Sequence, residues 1–185
     1  MANKGKHKIE FAVEHYSSKL YISSLNTCSE CPLKIYADDK DTIIFGTGNI
    51  NSNTIMILPS YDVKAGINYN TILKIVQDSY KNIKGTNLLE DCYVTRSIKC
   101  LDKTDFNLED SAINYCLNNL IYEIYRINPN KIIIFDKRLY DLDLYELCIG
   151  IYNIKTVISP AVMYYNNQKL HNIFIKQLTE AINDS

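Results

Sequence analysis

The sequence predicts an α/β fold, a three-layer αβα sandwich with a mostly parallel sheet at its centre. Segments with helical spacing of apolar residues alternate with short β-branched segments along the chain. This order is typical of parallel strands joined by crossover helices. The segment Lys131 to Phe135 (KIIIF) is apolar almost throughout, as expected of a strand buried on both faces of a sheet. We therefore expect helices on both faces.

The first half of the chain contains two helical patterns and two strands. Val13 to Leu25 carries apolar residues near helical spacing and predicts a first helix. The runs Thr42 to Phe45 and Thr54 to Leu58 are β-branched and are bounded by Gly, Asn and Ser, so they predict strands. Asn70 to Ile83 is again helical, and Gly85 is the expected end of that helix.

The second half repeats this alternation. Cys92 to Cys100 predicts a strand. The apolar positions from Leu108 to Ile127 keep to one face of a predicted helix, which carries Cys116 inward. Asn128 and Pro129 end that helix. The remaining predicted elements are a strand at Lys131 to Phe135, a helix at Lys137 to Cys148, a strand at Lys155 to Ile158 and a helix at Gln168 to Ile182.

A candidate binding site follows from this topology, because ligands of such sheets bind at the carboxyl ends of the strands. The loops after Leu58, Ile98 and Ile158 are expected there. The net charge of -1 does not indicate nucleic-acid binding. A local basic face remains open, and its candidates are Lys4, Lys6, Lys8, Arg96, Lys99, Lys137 and Arg138.

Length and composition indicate one folded domain that spans residues 1–185. A chain of this length buries roughly 70% of its unfolded surface in one core. The apolar stretches are too short to span a membrane, and the N-terminal residues contain no apolar signal region. We therefore expect a cytoplasmic protein with no membrane partner, in a reducing compartment that favours ligated or free thiols over disulfides.

Four cysteines predict a metal site: Cys28, Cys31, Cys100 and Cys116. The first two form a C-x2-C pair in a polar loop, where burial does not explain them. The third ends a β-branched run, and the fourth lies within a helical pattern. Four thiolates from separated segments suit zinc or an iron-sulfur cluster. Cys92 and Cys148 lie in apolar runs, where ordinary burial explains them.

This cysteine order, C-x2-C, then a strand ending in Lys-Cys, then C-x15-C into a helix, resembles the iron-sulfur uracil-DNA glycosylases of the uracil-DNA glycosylase superfamily. The resemblance extends from about Cys28 to about Ile182. It implies a central, mostly parallel four-stranded sheet and a 4Fe-4S cluster held by the four cysteines, with zinc as the alternative. The other similar stretches are Ile43 to Leu58, Tyr93 to Cys100, Ile127 to Phe135 and Val157 to Asn167, the last like the family's His-Pro loop.

The resemblance also implies four catalytic positions, and this sequence departs at each of them. Base excision requires a flipped nucleotide, a side chain that reads the base edge, and stabilisation of the departing base anion. Ser60 stands where the family has an acidic residue, Arg96 where it has Asn, and Ser159 where it has His. Tyr61 and Tyr69 are the candidates to replace the stacking Phe.

These departures remove the chemistry that excision needs. A hydroxyl at Ser60 lacks the negative charge that positions water, and the neutral Ser159 is a poor stabiliser of a base anion. An arginine has only hydrogen-bond donors, so Arg96 cannot read an edge that presents both a donor and an acceptor. We therefore expect no standard uracil excision. In an active but divergent enzyme, Asp62 would place the water.

The position of Arg96 on its strand also predicts that its side chain has a charged partner. Strand alternation places Arg96 on the same face as Val94, directed toward the base pocket. A buried cation needs a partner, and two are considered. An ion pair with an internal carboxylate such as Asp62 would seal the pocket, whereas contact with an external phosphate would make Arg96 part of a DNA interface.

Three functional hypotheses follow. The first is an iron-sulfur pseudoenzyme of the superfamily fold, associated with single- or double-stranded DNA or with a replication or repair protein. The second is an active divergent glycosylase acting on uracil or another modified base. The third is a pure protein-interaction scaffold. The resemblance implies a DNA repair or replication setting, with a phage or mobile element among the sources considered.

Overall fold

The computed structural model describes Cys31 and residues 44–100, 111–140 and 151–184. Over these ranges the chain forms an α/β fold with a mixed five-stranded sheet and four α-helices. The strands are β1 (Thr47–Gly48), β2 (Thr54–Leu58), β3 (Tyr61–Asp62), β4 (Ile67–Asn68), β5 (Tyr93–Arg96), β6 (Lys131–Ile134) and β7 (Asn153–Thr156). The helices are α1 (Tyr69–Lys84), α2 (Leu88–Asp91), α3 (Ser111–Ile127) and α4 (Gln168–Asn183), with 3-10 turns at Lys137–Leu139 and Pro160–Tyr164.

The strand order of the sheet is β1-β5-β2-β6-β7, and β3 and β4 form a separate two-stranded hairpin. Neighbouring strands from β5 to β7 are parallel, whereas β1 runs antiparallel to β5 at one edge. The predicted α/β class is confirmed. In the described ranges the sheet has five strands, not the four implied by the resemblance, because the glycine-rich turn after Phe45 supplies the two-residue strand β1.

Alternate side chains of the central strands pack on opposite faces of the sheet. Ile55 and Ile57 of β2 lie in the same core cluster as the buried residues of α3. Met56 and Leu58 lie in a second cluster with the buried residues of α1 and α4. Both faces of β2 are therefore buried, which explains why the strand TIMIL is apolar at successive positions.

Several predicted boundaries match the structure. Helix α1 begins after Asn68, whose side chain accepts a hydrogen bond from the Thr71 backbone N–H. It ends at Gly85, which has the left-handed conformation (φ 78°) and donates its N–H to the Lys81 carbonyl. The predicted stop at Gly85 is thus confirmed. The last helix was also predicted, and α4 covers Gln168–Asn183.

Other boundaries differ. The strand predicted over Cys92 to Cys100 covers only Tyr93–Arg96, because the Ile98 N–H leaves the ladder and bonds to a side chain, Ser60 Oγ. Within the predicted strand Thr42 to Phe45, residues 44 and 45 are not in a strand, and β1 follows them. The strand predicted at Lys155 to Ile158 begins two residues earlier, because Asn153 is in register with Lys131.

Two predicted helices fall wholly or largely outside the described residues. The helix at Val13 to Leu25 is one of them. Of the helix at Lys137 to Cys148, the structure describes the start, which is the 3-10 turn Lys137–Leu139. No helix within the described ranges combines the length and the apolar character that a membrane crossing requires.

Candidate functional site

The structure describes three of the four predicted metal ligands. Cys31 and Cys116 are buried in the core cluster that contains the inner side of α3, and Cys100 packs against that cluster. Cys28 lies outside the described residues. Among the residues that are described, no group of three or more His, Cys, Asp or Glu side chains has metal-binding geometry. The four-cysteine site therefore stays a prediction, with three of its thiols on one side of the sheet.

The two cysteines assigned to the core are in different situations. Cys92 is buried in the other cluster, with α1 and α4, and its thiol lies 4.0 Å from the Tyr80 hydroxyl. Burial raises the pKa of the Cys92 thiol to about 11, although the Tyr80 hydrogen bond opposes this shift. The expectation that Cys92 is an ordinary core thiol is confirmed. Cys148 lies outside the described residues.

A buried charged network adjoins Cys100 in the sequence. The Lys99 ammonium contacts Glu123 Oε2, and both side chains are almost fully buried, with 1% and 3% exposed. Lys99 Nζ also donates to Thr95 Oγ1 at 2.5 Å, and Thr95 Oγ1 donates to Glu123 Oε2 at 2.7 Å. Burial lowers the pKa of Lys99, and the attraction of Glu123 opposes that shift. This network joins the end of β5 to α3.

The other oxygen of the same carboxylate holds the glycine-rich turn in place. Glu123 Oε1 accepts hydrogen bonds from the Gly46 backbone N–H at 2.5 Å and from the Tyr93 hydroxyl at 2.9 Å. A Cβ atom on Gly46 would lie 2.5 Å from the Val94 carbonyl oxygen, so only glycine fits this close approach. The glycine-rich segment therefore serves the packing of β5 against α3.

Ser60, which stands where the resemblance implies an acidic residue, has a structural role. It is fully buried. Its hydroxyl donates to the Ile98 carbonyl at 2.9 Å and accepts from the Ile98 N–H at 2.9 Å. The side chain therefore joins the end of β2 to the segment after β5, and its hydroxyl is engaged in both directions.

Arg96 is buried, and the aromatic ring of Tyr69 is one of its contacts. Its guanidinium lies 3.9 Å from the ring centroid of Tyr69, the first residue of α1. Only 6% of Arg96 and 4% of Tyr69 are exposed, so this ring is covered and is not open to stack a base. Asp62 Oδ1, the expected internal partner, accepts hydrogen bonds from the Ala65 N–H and the Tyr165 hydroxyl.

A cleft of about 440 Å³ lies at the carboxyl ends of β2, β6 and β7. Its walls include Pro59 after β2, Phe135 and Asp136 after β6, and Ser159 after β7. The predicted location after Leu58 and Ile158 is thus confirmed. Of the third predicted contributor, the loop after Ile98, the described residues Lys99 and Cys100 do not line this cleft, and residues 101–110 lie outside the described ranges. Ser159 caps the following 3-10 turn by accepting the Ala161 N–H at 3.3 Å.

One wall of the cleft carries a partly buried ion pair. Arg138 Nε and Nη2 donate to the two carboxylate oxygens of Asp136 at 2.9 and 2.6 Å. Burial lowers the pKa of Arg138, but the hydrogen bonds and the charge of Asp136 outweigh burial and raise it above the ordinary range. Tyr61, the other candidate to replace the stacking Phe, lines the same cleft, with its ring centroid 5.8 Å from the Arg138 guanidinium carbon.

Three side chains that hold these networks together were not identified from the sequence: Glu123, Asp136 and Tyr165. Glu123 had a detectable signal, because it is a charged residue on the apolar face shared by Leu120, Ile124 and Ile127. Asp136 follows a fully apolar strand directly, a position typical of binding sites in parallel sheets. Tyr165 had no such signal, since its contact with Asp62 joins positions far apart in the chain.

In comparisons with known proteins, no protein-family model matches this chain and no curated protein matches it.

Proposed function

We propose that this chain is an iron-sulfur protein with a uracil-DNA glycosylase-like fold that associates with nucleic acid and does not excise uracil. The fold part of this proposal is supported by four parallel strands with helices packed on both faces. The cofactor part is supported by three of the four thiols lying in or against one core cluster. Four cysteine thiolates are the ligands of a cubane (4Fe-4S) cluster.

The observation that carries the loss of activity is the burial of Ser60. Its hydroxyl is inaccessible and is bonded to the Ile98 backbone in both directions. Arg96 is likewise covered and lies over Tyr69. Two of the positions at which the family carries its catalytic groups are therefore used for packing. Each lost electrostatic contact of this kind costs about 10²- to 10³-fold in rate, so little acceleration over water should remain.

Uracil release from single- and double-stranded DNA tests the catalytic part. We expect release no faster than in a blank. Asp62 lines the cleft and accepts a hydrogen bond from Tyr165 at 3.2 Å, which keeps the divergent-enzyme hypothesis open. Release of uracil or of another modified base that disappears in Asp62→Ala would establish that second function and overturn the first.

DNA affinity measured against salt concentration tests the nucleic-acid part. Phosphate contacts release counterions, so the affinity must fall as salt rises. We expect such a fall for the intact protein. A protein that shows no salt-dependent affinity for either form of DNA would instead be the interaction scaffold.

Iron and sulfide content after anaerobic purification, with the visible spectrum, tests the cofactor part. We expect roughly four irons per chain, and a Cys100→Ser variant should lose the colour and melt at a lower temperature. Cys92→Ser is the matched control, because Cys92 lies in the cluster on the opposite face of the sheet. Full iron in the single variants of all four predicted ligands would contradict the cluster, and a colourless zinc protein would contradict the family resemblance.

A further inference from the structure

Basic side chains from two separate loops meet at the cleft. Lys64 lies in the turn between β3 and β4, and Lys137 and Arg138 lie in the 3-10 turn after β6. Lys64 and Lys137 are exposed, and neither forms an ion pair with another described residue. Two ammonium groups on one cleft, without carboxylate partners, attract an anion.

Arg138 adds a fixed orientation to this charge. Its guanidinium donates hydrogen bonds to both carboxylate oxygens of Asp136. The Asp136 side chain is 4% exposed, whereas 17% of the Arg138 side chain is exposed. The two bonds to Asp136 use two of the five N–H groups of a guanidinium. A guanidinium held in one plane by a buried carboxylate loses little freedom when it binds a second oxyanion.

The acids of the cleft cancel only part of this attraction. Asp136 is paired with Arg138, and Asp62 Oδ1 is held by the Ala65 N–H and the Tyr165 hydroxyl. Among the described residues that line the cleft, three cationic side chains and two carboxylates leave a net charge of +1. The volume of about 440 Å³ lies in the range of clefts that take small organic ligands.

We propose that Lys64, Lys137 and Arg138 bind a phosphate group at this cleft, with Asp136 acting as a positioning residue for Arg138. The planar fork of an arginine matches phosphate oxygens, and ammonium groups add charge. The phosphate belongs to a nucleic-acid backbone or to a free monoester such as a nucleoside monophosphate. This inference rests on the proposed nucleic-acid association and assigns it to three side chains.

Fluorescence anisotropy with labelled single-stranded and duplex oligonucleotides tests the lysines. For Lys64→Gln and Lys137→Gln, we expect the slope of log affinity against log salt to become shallower. The expected change is about 0.7 for single strands and about 0.9 for duplex DNA per lost contact. Lys176→Gln is the matched control, because Lys176 is 76% exposed on α4 and does not line the cleft. Its slope should equal that of the intact protein.

The variant Asp136→Asn distinguishes the orientation of Arg138 by Asp136 from a simple effect of net charge on DNA affinity. If the cleft acted only through its net charge, removal of a carboxylate would tighten DNA binding. If Asp136 orients Arg138, affinity falls instead, toward that of Arg138→Gln. Arg138→Lys provides the same distinction should Asp136→Asn not fold, because lysine keeps the charge and loses the fork. Tighter binding by Asp136→Asn, or unchanged binding by Arg138→Lys, would overturn the positioning role.

A second titration, followed by NMR, uses inorganic phosphate and a nucleoside monophosphate. One outcome is that the nucleoside monophosphate binds, that Lys64→Gln lowers its affinity, and that DNA does not bind. The phosphate site is then supported and the nucleic-acid association is wrong. If DNA binds with the same salt slope in every cleft variant, nucleic-acid association stands and the phosphate site is wrong. If neither ligand binds, both proposals are wrong.

Discussion

Lys99 and Glu123 form an ion pair that is buried between the end of β5 and α3. The carboxylate also receives hydrogen bonds from Gly46, Tyr93 and Thr95. Four residues from two segments, the glycine-rich turn and β5 with the residues after it, therefore contact one side chain of α3, and Lys99 directly precedes the predicted ligand Cys100. A charge at either position without the other would be buried and uncompensated.

Glu123→Gln should destabilise the protein strongly. The change keeps the size of the side chain and removes the charge that compensates Lys99, and loss of one partner of a buried pair costs about 3–5 kcal/mol. The free energy of unfolding in urea measures this. The double variant Lys99→Met, Glu123→Gln should recover much of the loss, because no uncompensated charge remains. Equal stabilities of Glu123→Gln and the intact protein would contradict the role of the pair.

Ser60→Ala should lower the free energy of unfolding by about 1–3 kcal/mol, because it leaves the buried N–H and carbonyl of Ile98 without the hydroxyl that both contact. Ser97→Ala is the matched control. Ser97 is 1% exposed, and its hydroxyl has no hydrogen-bond partner in the part of the chain that the structure describes. Its removal should change stability by less than about 0.5 kcal/mol or raise it. Similar losses in both variants would show that the Ile98 contact is unimportant.

Arg96→Ala should reduce stability and leave DNA binding unchanged. The guanidinium lies over Tyr69 in a buried site, where a desolvated cation–π contact is worth about 2 kcal/mol. Thermal unfolding measures the first effect, and the salt slope of DNA affinity measures the second. Arg126→Ala, at an exposed position near the end of α3, should change neither. A shallower salt slope in Arg96→Ala would instead make Arg96 a phosphate contact.

The stability of the protein should fall as pH rises from about 9 to about 11. Burial raises the pKa of the Cys92 thiol from 9.0 to about 11. Between these values the folded state retains a proton that the unfolded state has lost, so unfolding becomes more favourable with increasing pH. The stabilisation is complete below about pH 9, and about 2–3 kcal/mol of it is lost by pH 11.

Urea unfolding at a series of pH values checks this expectation. Cys92→Ala removes the titrating thiol, so its unfolding free energy should decline less between pH 9 and pH 10. Tyr80, whose pKa burial also raises, contributes at higher pH in both proteins. Parallel pH profiles for the two proteins would contradict the assignment to Cys92.

Local sequence patterns predicted much of the fold. The apolar residues that follow Thr54 and Lys131 in the strands TIMIL and KIII are buried between two helical layers, and Gly85 ends α1 in the conformation that glycine favours. Such features depend on adjacent residues and on the spacing of apolar side chains. They can therefore be recognised in the sequence without knowledge of the tertiary contacts. The placement of the cleft after β2 and β7 followed from topology alone.

The sequence by itself determined the α/β class, most described elements, the buried nature of Cys92, and the presence of Ser60, Arg96 and Ser159 where the resemblance implies an acid, Asn and His. Only the tertiary structure decided the partners of the polar groups: Glu123 with Lys99, Arg96 over Tyr69, and Asp62 with Tyr165. Helix and strand periods fix which face of an element is buried, but not which distant side chain meets it there. Those pairings depend on strand order and on loop paths, which bring residues far apart in the chain within hydrogen-bond distance.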